Sequence, residues 1–174
     1  MTRYSGHNEK KDVKIDVCRP SDCLASDLCT FADLVKQGGK VEPGGLEGRI
    51  RKAYKLAFCR ISGEIVSIAA IKKPNKDYKK KIFRDASADQ DPDVFTLEYG
   101  WAFTKAGHGG QGYAFSIASV LLREIDSPIF ATTQSHNDRM KSILEEHGFA
   151  RVGSPYQGCE GSLVLYIKTD RTGR

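Results

Sequence analysis

Residues 107–114 read GHGGQGYA, four glycines in eight positions, and an amphipathic helical pattern follows at once. Glycine loses more backbone freedom on folding than any other residue, so this density needs a reason. One reading is a plain strand-to-helix connection. The other is a bed of backbone amides at a helix N-terminus. There the unpaired N–H groups and the positive end of the macrodipole attract phosphate, and no Cβ blocks its approach. Before the bend, VFTLEYGWAFT (94–104) is an apolar, aromatic strand. After it, Ala114, Ile117, Ala118, Leu121, Leu122 and Ile125 recur at helical spacing.

Working outward, VKIDVCR (13–19) alternates as a half-buried strand does. Pro20 and Ser21 then open a helix that places Leu24, Leu28, Phe31 and Val35 on one face, and Gly38–Gly39 stop it. LEGRIRKAY (46–54) suits a short second helix. KLAFCRISGEIVSIAAIKKP (55–74) is two β-rich runs about Ser62–Gly63, a tight hairpin signal. PIFATT (128–133) reads as a strand, and Asn137 caps a helix that carries Met140, Ile143 and Leu144. Gly148 ends that helix with Phe149 behind it, and strands follow at 149–153 and 162–168. The expected order is β-α-(α)-β-β-β-α-β-α-β-β. Hairpins first and a strand–helix–strand crossover second predict an α/β fold of mixed α+β type, a mostly antiparallel central sheet flanked by helices.

The chain has 174 residues, 40% of them hydrophobic and 28% charged, which suits one soluble domain with a real core. That domain is expected over 13–168, between a disordered tail at 1–12 and a second tail at 169–174. No apolar run reaches membrane-spanning length and MTRYSGHNEKKDVK lacks a signal-peptide core, which predicts a cytoplasmic protein with no membrane partner. The five cysteines form no CxxC pair and no zinc-ligand spacing with histidine. Reduced, mostly buried thiols and no metal are expected. The net charge of +5 is uneven: KKPNKDYKKKIFR (72–84) is cationic and DASADQDPD (85–93) acidic. This stretch (72–93) reads as a charged, mobile insertion, either simply solvated or able to contact RNA through 72–84.

Two motifs, in this order and spacing, resemble the GNAT superfamily of acyl-CoA-dependent N-acetyltransferases over nearly the whole chain from residue 13. One is the family's Q/R-x-x-G-x-G/A loop, here Gly109-Gly110-Gln111-Gly112-Tyr113-Ala114; the other is an Asn opening a helix that ends in Gly-Phe, here NDRMKSILEEHGF (137–149). A Rossmann or P-loop reading fits less well, lacking the Gly-Lys-Ser/Thr ending and the GxGxxG spacing. The resemblance implies that the loop holds the pyrophosphate of acetyl-CoA. It also implies that backbone groups of Trp101, Ala102 and Phe103 line the pantetheine arm, and that Asn137 touches the same arm. Trp101 reads equally well as a core aromatic. The loop departs from the family at Gly109, where a Gln or Arg is usual; His108 precedes it.

The same resemblance implies a general base at Glu98, fourteen residues before Gly112, with Phe95, Trp101 and Phe103 expected to desolvate it. The alternative is a strand carboxylate facing solvent or a lysine. The family's thiolate-protonating Tyr falls on Leu144, which cannot donate, and His136 is the substitute candidate. The resemblance implies N-acetyl transfer from acetyl-CoA to a primary amine on a small molecule, a protein or an aminoacyl-tRNA. A homodimer is common in the family. A non-catalytic acyl-CoA-binding module on the same fold is the rival reading.

Overall fold

The computed structural model describes residues 12–39, 41–42 and 44–169, so the two expected tails fall almost wholly outside the described residues. In chain order the elements are β1 (Val13–Cys18), α1 (Ala25–Gln37), α2 (Leu46–Arg51), β2 (Lys55–Ile61), β3 (Glu64–Lys72), α3 (Lys76–Asp85), β4 (Leu97–Thr104), α4 (Tyr113–Arg123), β5 (Ile129–Gln134), α5 (Asp138–Glu146), β6 (Ala150–Gly158) and β7 (Gly161–Lys168). The seven strands form one sheet in the order β1-β2-β3-β4-β5-β7-β6. Every neighbouring pair is antiparallel except β4 and β5, which the crossover through α4 makes parallel. Among the described residues no helix is long and apolar enough to cross a membrane.

Helices cover both faces of the sheet, which explains why β3 is buried almost from end to end. On one face, Ile117, Leu121 and Ile143 of α4 and α5 pack on Ala57, Val66, Tyr99 and Tyr166. On the other, Phe31 and Leu34 of α1 and Ile50 of α2 pack on Leu56, Phe58 and Ile68. The far end of that second face is closed by Ile82 and Phe83 of α3, against Phe95, Phe130 and Leu165. Between the α1/α2 cluster, which takes in Trp101 and Phe103, and the α3 cluster, which takes in Phe95, lie Glu98 and Gly100 of β4.

Local chemistry explains the turns. Ser62 and Gly63 both take positive φ, +49° and +85°, the pairing a two-residue hairpin with right-handed twist demands. Gly148, at φ +84°, is the left-handed residue that ends α5.

The structure corrects several expectations. The charged insertion is not a loop: Asn75 caps α3 by accepting from the Tyr78 amide at 2.8 Å, and the helix buries Ile82, Phe83 and the stem of Lys79. Its cations fold back on their own acids. Lys76 and Lys79 each lie 3.7 Å from Asp93, and Lys81 and Arg84 both pair with Asp85. The first helix starts at Ala25, after a 3-10 turn over Pro20–Asp22, leaving Leu24 68% exposed instead of on the core face. β4 begins at Leu97, because Pro92–Val94 forms a 3-10 turn, and β6 runs on to Gly158. The cysteines also differ. Cys18 and Cys23 are joined in a disulfide with Cα atoms 6.3 Å apart, and Cys29 and Cys159 are exposed, so only Cys59 is a buried free thiol.

β6 is tied to α3 at Gly153, which takes φ +64°, and Ser154 N donates to Ala86 O at 2.7 Å. A Cβ on Gly153 would collide with that same carbonyl. Gly153→Ala is therefore expected to lose about 2–4 kcal/mol, from left-handed strain plus the clash, read as a lower urea midpoint at unchanged slope. An unaltered midpoint would mean that the α3–β6 seam contributes nothing.

Candidate active site

The site is organised by an irregularity in β4. Ile68 pairs with Phe103 and Ala70 with Gly100, so two residues of β4, Trp101 and Ala102, face the single residue Ala69. Trp101 takes φ +51°, unusual for a bulky residue. Such a bulge bends its strand and re-aims side chains. Here it brings Trp101 and Phe103 to the α1/α2 face and Ala102 to the α4 face. The parallel pairing of β4 with β5 reaches only Tyr99↔Ala131, although both strands continue, so the two part beside the bulge.

A groove of about 410 Å³ runs from this end of β4 to the N-terminus of α4 and across to α5. Ala102, Phe103 and Thr104 form one wall, His108, Gly109, Gly110 and Gly112–Phe115 the floor, and Asn137, Arg139 and Met140 part of the other wall. Gly110 and Gly112 both have φ +79°, and Gly112 is the residue from which α4 starts. A Cβ on Gly112 would meet nothing within 4 Å, so the glycine leaves open space in front of the first amides of α4. Those amides have no helical carbonyl to bond. Arg139 lays its guanidinium over the loop: Nη1 is 3.9 Å from where a Cβ on Gly109 would stand, and Nη2 3.7 Å from where one on Gly110 would. Open amides, a helix dipole and a guanidinium together fit a diphosphate.

On the other face of β4, Glu98 is only 2% exposed. Its expected surroundings of Phe95, Trp101 and Phe103 are corrected. The first groups at its carboxylate are Lys72 Nζ at 2.6 Å, from the directly opposite residue of β3, and Tyr78 Oη of α3, which donates at 3.2 Å. The Lys72 stem crosses Gly100, where any Cβ would lie 2.8 Å from Cε, and its ammonium sits 5.3 Å from the Trp101 ring centre. Burial, then the charge of Glu98, push the Tyr78 hydroxyl well above the usual phenol range, so it stays a donor. Burial and the same carboxylate raise Tyr156, whose buried hydroxyl has no hydrogen-bond partner among the described residues.

The expected residues thus fall into three groups. Ala102, Phe103, Gly109, Gly110, Gly112, Tyr113, Ala114 and Asn137 share the groove; Gln111 is exposed and does not line it. Trp101 packs edge-on against Phe31, ring centres 6.2 Å apart, as a core aromatic does. His136 is exposed and lines neither the groove nor the Glu98 cluster, and Leu144 is fully buried. Asn137 caps α5, its Oδ1 accepting from Met140 N at 3.1 Å. Sequence reasoning missed Arg139, Lys72 and Tyr78. An arginine beside a helix-capping Asn was the only trace of the first.

Neither a protein-family model nor a curated protein sequence matches the chain. Solved structures do. An acyl-CoA N-acyltransferase from Pseudomonas aeruginosa is 12% identical, with 90% of this chain and 99% of that one covered at a TM-score of 0.66. Escherichia coli ElaA is 16% identical, with the same coverage and TM-score. The Salmonella typhimurium protein yncA, solved with its cofactor acetyl-CoA, is 15% identical, covering 94% and 97% at a TM-score of 0.62. The mixed seven-stranded sheet flanked by helices is the fold of these structures, and of a GNAT-family acetyltransferase from Streptococcus agalactiae that is 13% identical, with 91% of this chain and 96% of that one covered at a TM-score of 0.66.

Proposed function

We propose that this chain is an acyltransferase that carries an acetyl group from acetyl-CoA to a primary amine. The observation that carries the reading is the groove, which joins an open, glycine-floored helix N-terminus under Arg139 to the parting of β4 and β5. The pyrophosphate would lie on the amides of Gly110, Gly112 and Tyr113 with Arg139 above it. Arg139 supplies from α5 the charge that Gly109 lacks. The backbone of β4 from Ala102 to Thr104 would pair with the amides of the pantetheine arm as an added strand does.

Glu98 sits roughly 10 Å along the strand from Ala102, the bulge having shortened the step. Its carboxylate takes a proton from the attacking nitrogen as the new N–C bond forms and the C–S bond breaks. Help of this kind is worth about 10²–10⁴-fold. Tyr78, held protonated, orients the carboxylate by donating to it. No residue is needed to protonate the CoA thiolate, which leaves readily on its own. The protein-lysine and tRNA acceptors gain little from the cationic stretch, because most of its charges pair with acids of the same chain.

Thiol release from acetyl-CoA, followed across a panel of amines, proteins and charged tRNAs, tests the reading. Tight CoA binding without transfer to any acceptor would establish the binding-module alternative, which the closed Lys72–Glu98 pair favours. Arg139→Ala should weaken CoA binding about 10-fold in calorimetry, the loss of one charge-assisted contact. An unchanged Kd would remove Arg139 from the cradle.

A further inference from the structure

We propose that the acceptor is an α-amino acid bound as its zwitterion, its ammonium replacing Lys72 at Glu98 and its carboxylate replacing Glu98 at Lys72. The inference rests on the acyl-transfer reading above and deepens it. Its basis is the state of the Lys72–Glu98 pair, which is closed at 2.6 Å with side chains 17% and 3% exposed. No water layer separates the two charges, and the end of the Lys72 side chain lies over Gly100, where a Cβ would press on it.

An amine acceptor arrives as a cation and must reach the Glu98 carboxylate. If it carries no anion, it either shares that carboxylate with Lys72 or displaces it. Two cations then crowd one buried carboxylate, and the displaced ammonium, on a side chain only 17% exposed, trades its counter-ion for the faces of Trp101 and Tyr78, 5.3 and 6.0 Å away. A desolvated charge without a counter-ion is strongly unfavourable. A zwitterion avoids this. It exchanges one internal ion pair for two external ones, and the net charge of the cluster stays zero throughout. The unpartnered Tyr156 hydroxyl, close enough to Glu98 to feel its charge, is a further donor awaiting an oxygen.

The step balances. The zwitterion loses one proton from its ammonium to Glu98 and a second as the N–C bond forms. The C–S bond breaks, one proton ends on the CoA thiolate and the other leaves to solvent from Glu98. The products are the N-acyl amino acid carboxylate and CoA thiol. The product keeps its carboxylate at Lys72 but has no ammonium left at Glu98, so the re-ionised Glu98 competes for Lys72 and the ion pair closes again as the product leaves.

The test sets each of the twenty α-amino acids beside its carboxamide and its decarboxylated amine, with acetyl-CoA, following thiol release and product mass. At least one amino acid should exceed both analogues in kcat/KM by on the order of 10²-fold. Lys72→Met should shrink that preference to about threefold or less, while Lys72→Arg, which keeps the charge, should retain most of it. The wild-type comparison stands whether or not the Met variant folds. An amine or carboxamide turned over as well as its parent amino acid would overturn the inference and leave acyl transfer intact. Turnover of protein amines or charged tRNA alone would do the same. CoA binding with no transfer to anything would overturn both.

Discussion

Replacing Gly112 by Asp should abolish CoA binding while leaving the fold native. Gly112 stands at the first turn of α4 with φ +79°, and a Cβ there meets no other atom within 4 Å. The new side chain therefore has room, and the cost to the fold is limited to left-handed strain of about 1–2 kcal/mol. The same open space is where the cradle would receive a diphosphate. A carboxylate about 4 Å from one phosphate charge, at an effective dielectric constant near 20, repels it by about 4 kcal/mol, roughly a thousandfold in Kd. Calorimetry should show no heat of CoA binding at concentrations that saturate the wild type, with circular dichroism unchanged. Gly112→Ala carries the strain without the charge and should weaken binding far less. Equal losses in the two variants would assign the effect to backbone strain, and wild-type affinity in the Asp variant would end the phosphate reading.

Where the sequence was legible, a single local device decided the structure. Ser62–Gly63 declared the β2–β3 hairpin, the glycine bend declared the β4–α4 junction, and Asn137 and Gly148 marked both ends of α5. Illegible features depended on contacts between distant segments. α3 was masked by its own charge, since only Ile82, Phe83 and the buried stem of Lys79 show an apolar face, and of the acids that neutralise it Asp85 closes the helix and Asp93 comes later in the chain. The Cys18–Cys23 disulfide needed the 3-10 turn at Pro20–Asp22 to bring the two Cα atoms within 6.3 Å. Arg139 reaches the glycine loop from a different helix, and nothing in GHGGQGYA announces it. Glu98 illustrates both cases. The family resemblance, through the count back from Gly112, made it a candidate, but its partner depends on the antiparallel register that sets Lys72 opposite, and on a bulge at Trp101 that no propensity predicts.

Glu98→Gln should lower kcat/KM on the order of 10²-fold at neutral pH and leave CoA affinity unchanged, because Glu98 lies outside the groove. Part of the lost rate should return as the pH rises, since the free amine then forms without a base. The complication is Lys72. Its ammonium is 2.6 Å from the carboxylate in a largely buried pair, and breaking such a pair from one side costs about 3–5 kcal/mol. A slow Glu98→Gln enzyme would therefore be slow through instability as readily as through a missing base. The double variant Glu98→Gln/Lys72→Met separates the two, because it removes both charges at nearly constant volume. Its melting temperature should recover toward wild type, while its rate at neutral pH stays as low as that of the single variant. Rate returning together with stability would make Glu98 a structural half of an ion pair. A stable double variant that remains inactive at neutral pH, yet gains rate with each unit of alkalinity, would identify the carboxylate as the group that deprotonates the amine.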